Sequence, residues 1–405
     1  MLGCAAPEPP ERIVLIVIDT LRRDHLSPYG GRARTPNLAR LAGEGRALRH
    51  AVSSFYQTSM SMGALFTGRT PSIESGERAE TLRWNASNWC GMARFGPGEG
   101  PCLPMEVGTL GETMRRQGYW TVGVASNPLT FAPAGFERGF HRWTEVQASD
   151  SLAFMAFNKR TLPTWCEQRD GSRVNAAVFE ALARRPHDRF FLYVHYMDVH
   201  DLFDRGVSYT STVEAADVAV GKLLDHLEER RLLEGTAILV TGDHGEVLDE
   251  EHGLPTKPRH LGNPAFEQVL GVPLIVRGIE VDDRADRPIR SQDILGMLAR
   301  SAGASEPRDD DLEPGELFVT EISWQTYRSG RFKSFWRRSD TSVFLVDLES
   351  DPAELRDVSA AHPEIVAQHR ARIEKLSSDL AAQRASDSPI GSEDLERLRV
   401  LGYAE

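Results

Sequence analysis

The 405-residue chain carries 47 Lys plus Arg against 59 Asp plus Glu, a formal net charge of −12, which argues against nucleic acid as a primary partner. With 40% hydrophobic and 26% charged residues, 34 Gly and 23 Pro, the composition is that of a globular protein with a large core, neither disordered nor fibrous. The longest aliphatic run, Ile13 to Ile18, is far short of the roughly 20 residues that span a bilayer, so no transmembrane helix is expected.

Met1 to Pro10 reads MLGCAAPEPP, and Gly3-Cys4 ahead of a small, Pro-rich stretch looks like the cleavage end of a bacterial lipoprotein signal, without the hydrophobic segment that should precede it. Two readings stay open: a lipid anchor at Cys4 of a periplasmic protein, or a chance match in a cytoplasmic one. Residues 1–11 read as a tether, 12–304 as one large α/β domain and 305–405 as a C-terminal α+β subdomain. Cys90 and Cys102 flank a Gly/Pro-rich loop and could close a short disulfide, leaving Cys166 over. Three buried small hydrophobic residues is the other reading.

In chain order, Arg12 to Ile18 is a continuous apolar run ending in Asp19, the pattern of a strand buried on both faces of a parallel sheet. Thr35-Pro36 starts a helix that ends near Gly43 to Gly45, with Thr35 as N-cap and Pro36 at the first helical position. A helix over Gly108 to Gln117 is stopped by Gly118 and followed by a strand over Tyr119 to Ala125. Val174 to Arg185 reads as a helix before the strand Arg189 to Tyr196, and Thr212 to Arg230 as a helix before the strand Ala237 to Thr241. A short strand over Val272 to Val276 and a helix over Ser291 to Ala302 complete an α/β pattern, a mostly parallel sheet with helices on both faces. The acidic segment Glu306 to Glu316 reads as a linker. Beyond it, Leu317 to Ile322, Phe332 to Arg337 and Val343 to Leu348 read as antiparallel strands and Pro363 to Gln383 as a helix.

Asp19 and the pair Asp243-His244 each follow a buried strand, and the carboxyl ends of such strands form the ligand crevice of an open α/β sheet. Two carboxylates and an imidazole suit one divalent metal (Zn, Mn, Mg or Ca) with positions left for nucleophile and substrate. Thr58-Ser59-Met60-Ser61 places hydroxyls just ahead of a helix-compatible segment, where the helix dipole and free N–H groups favour an alkoxide and bind a tetrahedral anion. His252, Lys257 and His260 follow the second acidic motif in a loop and are candidates to hold a substrate anion. Glu246 is a candidate to orient His244.

These residues carry a resemblance to the sulfatase family of the alkaline phosphatase superfamily over nearly the whole chain. The matching features are Val17-Ile18-Asp19-Thr20, Thr35-Pro36-Asn37-Leu38, Leu65-Phe66-Thr67-Gly68-Arg69, His195 with Asp198 and His200, Thr241-Gly242-Asp243-His244-Gly245-Glu246, Val272-Pro273-Leu274, Asp347-Leu348 with Asp351-Pro352, and Leu401-Gly402-Tyr403. The resemblance implies the alkaline-phosphatase-like fold, Asp19, Asp243 and His244 as metal ligands, and Thr58 at the nucleophile position, itself reaching the metal. It further implies His195 and His200 at the substrate anion or leaving group, and Arg69 as the arginine beside the nucleophile helix.

The departures redirect the chemistry. Formylglycine sulfatases carry Cys or Ser in a Cys/Ser-x-Pro-x-Arg pattern, whereas this chain reads Thr58-Ser59-Met60-Ser61-Met62. The family's second aspartate is Thr20 here, and its Lys-x-His segment has no clear counterpart near Tyr119 to Asn127. A formylglycine hydrate releases sulfate by collapsing to the aldehyde, an exit that a threonine ester lacks. A phosphoryl-threonine is instead hydrolysed by in-line water. The expectation is therefore a metal-dependent hydrolase of sulfate or phosphate esters, on a small-molecule, glycan or lipid-headgroup substrate, with Thr58 as covalent nucleophile. The alternatives are a phosphodiesterase or phosphoethanolamine-type transferase, or a non-catalytic anion-binding homologue.

Overall fold

The computed structural model describes residues 8–71, 73–75, 82–84, 103, 107–146, 170–204, 206–256, 263–281, 287–304, 312–320 and 323–382. Cys4, Cys90, Cys102, Cys166, Lys257 and His260 lie outside the described residues. The elements that build the α/β layer begin with β1 (Arg12–Ile18), α1 (Pro36–Glu44), β2 (Arg46–Leu48), β3 (Ala51–Val52) and α2 (Thr58–Thr67). After the small hairpin β4 (Ile73–Ser75) and β5 (Leu82–Trp84) come α3 (Leu110–Arg116), β6 (Trp120–Ala125), β7 (Arg142–Glu145) and α4 (Gly171–Ala183). The layer continues with β8 (Phe190–Tyr196), α5 (Asp198–Asp204), α6 (Tyr209–Glu229), β9 (Thr236–Gly242), α7 (Glu267–Leu270), β10 (Leu274–Arg277), β11 (Ile289–Arg290) and α8 (Asp293–Ser301).

Local chemistry explains the boundaries. Thr109 and Glu112 close a reciprocal capping box at the start of α3, which satisfies two of the free N–H groups at a helix N-terminus. Gly118, at φ 80°, supplies the left-handed turn that ends this segment, a conformation open to glycine at no steric cost. Thr35 occupies the N-cap of α1 without capping it, because its hydroxyl is turned toward Ser27, whose N–H donates to it at 3.0 Å.

The seven strands of the main sheet run in the order β2-β10-β9-β1-β8-β6-β7. The block β9-β1-β8-β6-β7 is parallel throughout, and β10 alone is antiparallel to its neighbours. Every residue of β1 is buried, so its apolar run feeds both faces. Ile13, Leu15 and Val17 pack with α2, α3 and α8, and Val14, Ile16 and Ile18 with α1, α4 and α6.

The C-terminal unit is an antiparallel meander of β12 (Glu316–Thr320), β13 (Trp324–Ser329), β14 (Phe332–Arg337) and β15 (Val343–Asp347). The helix α9 (Pro363–Ala382) covers it through Ile373 and Leu376. The sequence reading passes over β13 and ends its linker at Glu316. That residue opens β12 instead, held by Arg372 at 2.6 Å and by the Tyr327 hydroxyl at 2.5 Å.

A buried ion cluster fastens this unit to the α/β layer: Lys333 Nζ lies 3.0 Å from Glu267 and 2.8 Å from Glu354, with no exposure of the lysine. Burial, with Glu267 adding to it, pushes the Glu354 carboxyl up to about 7 against the pull of Lys333. Glu267 opposes its own burial by facing Lys333, Arg328 and Arg23, and sits at about 2. Lys333→Met leaves these carboxylates without their cation and is expected to lower unfolding stability by about 3–5 kcal/mol in urea denaturation. The stability that Glu354 contributes is complete below its usual 4.5 and is lost as pH rises through about 7. Glu354→Gln should therefore flatten the fall in stability across that window.

Candidate active site and metal centre

The sheet register gathers the chemistry. Val17 of β1 pairs with His195 of β8 and with Thr241 of β9, and Ala125 of β6 pairs with His195. Side chains alternate faces along a strand, so the residues two positions on, Asp19, Asp243 and Asn127, continue the face that His195 occupies. That face is the one covered by α2. The result is a row of four polar side chains, in sheet order Asn127, His195, Asp19 and Asp243, at the carboxyl ends of adjacent strands.

The helix α2 is drawn onto this row by its flanks. The Ser53 hydroxyl, ahead of the helix, lies 2.5 Å from the Asp243 carbonyl. Gln292 accepts no freedom at either end, its N–H donating to Ser54 at 3.2 Å and its side-chain amide to Thr70 at 3.0 Å. All ten residues of α2 are buried, and Thr58 is the first of them, with Gln57 at the N-cap. The Thr58 hydroxyl lies 3.4 Å from His244 Nε2 and 3.4 Å from Asn127 Nδ2.

The acids sit in a dry, crowded setting. Asp19 Oδ2 accepts from Asn127 Nδ2 at 2.5 Å and lies 3.3 Å from His195 Nε2. Asp243 Oδ1 accepts from the N–H groups of Thr20 at 2.8 Å and His244 at 2.7 Å. Thr20 reaches it only by adopting φ 54°, a costly conformation for a β-branched residue and one found where a site demands it. Burial would raise Asp19, but His195, His200 and His244 more than offset it, so this carboxyl stays ionised well below the usual range. Burial and the adjacent Asp19 carboxylate push Asp243 the other way, as expected for two acids sharing one site.

This donor set fits a divalent cation. Asp19 Oδ1, Asp243 Oδ2 and His195 Nε2 are buried without a hydrogen-bond partner, and ligand atoms of these three residues lie within 4.8 Å of one another. Buried polar atoms are otherwise almost always satisfied. His244 adds a nitrogen: its Nδ1 lies 2.8 Å from the Gly245 carbonyl, which takes the Nδ1 proton and leaves the Nε2 lone pair facing the site. The Gly245 carbonyl thus orients the His244 ring.

The remaining candidates separate clearly. His200, on the first turn of α5 and half-buried, lies near enough to Asp19 to hold its carboxyl down. Arg69 follows Gly68, the C-cap of α2, at the end of the helix opposite Thr58. His252 stacks on Phe266 at 4.0 Å and turns Nδ1 to the Ala353 carbonyl at 3.1 Å, clasping the C-terminal unit. Asn127 is the site residue that the sequence reading leaves without a role. Its amide is oriented by the Leu129 N–H, which donates to Oδ1 at 2.9 Å, so Nδ2 must face Asp19 and Thr58.

Two acids, two imidazoles and a buried hydroxyl thus converge at the carboxyl edge of a mostly parallel sheet. Residues 11–303 match the Sulfatase family, and the chain belongs to it. Rat steryl-sulfatase is 25% identical over 419 residues, covering 78% of this chain and 71% of that protein. The chain spans about half the length of another relative, the dog N-acetylgalactosamine-6-sulfatase, at 52%. The solved structure of a 2-O glycosaminoglycan sulfatase superposes with a TM-score of 0.69 at 15% identity, covering 96% of each chain. Phosphonate monoester hydrolase of Agrobacterium radiobacter gives 0.65 at 16% identity, covering 92% of this chain and 96% of that one. At such identities these two establish the fold.

Proposed function

We propose that the protein is a metal-dependent ester hydrolase in which Thr58 is the covalent nucleophile, acting on sulfate or phosphate esters and favouring phosphate. The observation that carries this reading is the buried Thr58 hydroxyl, first residue of α2, 3.4 Å from His244 Nε2 and beside two buried carboxylates with unsatisfied oxygens. A divalent cation held by Asp19, Asp243, His244 and Thr58 supplies Lewis acidity that lowers the pKa of the threonine hydroxyl and polarises the ester.

The chain's residues perform the rest. Thr58, its proton lost to solvent, attacks phosphorus in line; the Oγ1–P bond forms as the bond to the leaving oxygen breaks. His200, half-buried and so in reach of solvent, protonates that oxygen, a role that the fully buried His195 is less able to fill. Water then attacks phosphorus, gives its proton to the now neutral His200, and expels Thr58. Asn127 Nδ2 and the free N–H groups at the start of α2 stabilise the charge that develops on the non-bridging oxygens.

The relatives act on sulfate esters of sterols and glycans by their names, and a structural neighbour is a phosphonate monoester hydrolase. Those names support an anionic ester on a glycan or lipid headgroup as the substrate class. No helix among the described residues is long and apolar enough to cross a membrane, and an anchor at Cys4 would bring the site to a membrane surface.

Matched aryl sulfate, phosphate monoester, phosphodiester and phosphonate monoester substrates, assayed with and without Mn, Zn, Mg or Ca, test the reading. It expects metal-dependent turnover, fastest on a phosphorus ester, and fails if sulfate alone is hydrolysed or if chelation leaves the rate unchanged. Asn127→Leu should lower kcat about 10²-fold, the cost of one preorganised donor, with KM little changed in the same assay.

A further inference from the structure

We infer that His195 is a nitrogen ligand of the metal centre, occupying the coordination place that Thr20 cannot fill, and that it tunes the site to zinc-type cations over calcium. The inference rests on the metal centre of the preceding section and concerns which cation the protein's own residues select.

Thr20 is disqualified by its bonds. Its hydroxyl donates to the Asp19 carbonyl at 2.8 Å, its N–H is committed to Asp243, and its carbonyl accepts from Tyr209. A coordinating oxygen at this position is therefore missing, and the cluster stays short of the six to eight oxygens that calcium takes. His195 enters from the neighbouring strand, one pleat below Asp19 on the same face.

The tautomer of His195 follows from its two surroundings. Nδ1 has the Tyr193 hydroxyl oxygen at 2.9 Å to accept its proton, whereas a proton on Nε2 would be buried with no hydrogen-bond acceptor. Nε2 is left with a lone pair, fully buried, without a hydrogen-bond partner, and 3.3 Å from Asp19 Oδ2. This is the arrangement of a ligating histidine whose other nitrogen is held by an outer partner.

The spacing agrees. Neighbouring nitrogen and oxygen ligands about 2.0–2.1 Å from a four- or five-coordinate zinc lie about 3–3.5 Å apart. The pairs His195 Nε2 to Asp19 Oδ2, His244 Nε2 to Asp243 Oδ2, and Thr58 Oγ1 to His244 Nε2 measure 3.3, 3.4 and 3.4 Å. Two imidazoles beside two carboxylates form a donor set that follows the Irving–Williams preference, whereas calcium disfavours nitrogen.

The test is metal binding by the metal-free full chain, read by competition with a chromogenic chelator for zinc and by calorimetry for calcium, so it does not depend on turnover. Wild type should bind zinc at least 10³-fold more tightly than calcium. His195→Asn should lower zinc affinity at least 10²-fold and compress the zinc-to-calcium ratio. Tyr193→Phe, which removes only the acceptor of the Nδ1 proton, should cost zinc 10- to 100-fold with unchanged cobalt coordination number in the visible spectrum. Circular dichroism and thermal melts of the metal-free variants establish that each is folded. Zinc affinity unchanged in folded His195→Asn, or calcium bound more tightly than zinc by wild type, overturns the inference. Loss of turnover with these affinities intact would instead count against the Thr58 mechanism alone.

Discussion

Thr58→Ala is expected to reduce turnover by roughly 10⁴-fold or more on the preferred ester, while Thr58→Ser stays within about tenfold of wild type. The asymmetry follows from the geometry. Alanine removes the only atom that forms the covalent ester, whereas serine removes a methyl group and keeps the oxygen on the first residue of α2. Neighbouring hydroxyls cannot substitute. Ser61 points its hydroxyl back to the Thr58 carbonyl at 3.3 Å, and Ser59 is turned about 100° around the helix axis. Stability should change by less than about 1 kcal/mol, because Gln57 rather than Thr58 is the N-cap and contacts at 3.4 Å are at the long limit of hydrogen bonding. Pre-steady-state kinetics of the three proteins, with melts alongside, check both halves.

Asp243→Asn should separate function from stability. Burial and the Asp19 carboxylate raise Asp243 above its usual 3.8, so its favourable contribution is complete below that value and is lost as pH rises; near neutral pH, without metal, the ionised pair works against the fold. Asparagine keeps an oxygen for the Thr20 and His244 N–H groups and turns an N–H toward Asp19. The metal-free variant is expected to be more stable than wild type by about 1–3 kcal/mol. With cation at a thousand times its Kd, wild type gains about 4 kcal/mol and the variant little, so the order reverses. Turnover should fall at least about 10³-fold. Thermal melts with and without chelator read the crossing, and a variant less stable than wild type in both conditions would contradict it.

Much of the architecture was legible because buried parallel strands advertise themselves. Arg12–Ile18 was readable to the residue from a run that suits the interior of a parallel sheet. The polar, half-exposed Trp324–Ser329 offered no such run, and Glu316 looked like linker because the Arg372 and Tyr327 that bury its charge come later in the chain. Within the site, the acids after β1 and β9 could be found from position alone. The order of strands could not, and it is that order which sets His195 beside Asp19 and within 4.8 Å of both acids' oxygens. Asn127 had a faint signal: it stands two residues past a strand end, on the face of Ala125, just before Pro128.

The central claim is that a Thr58 ester forms and is then hydrolysed. It is tested most directly by the stereochemistry of hydrolysis of a chiral phosphorothioate diester in oxygen-18 water. Two successive in-line displacements, first by Thr58 and then by water, predict net retention at phosphorus. Inversion would mean that water attacks the substrate directly and that Thr58 is not the nucleophile.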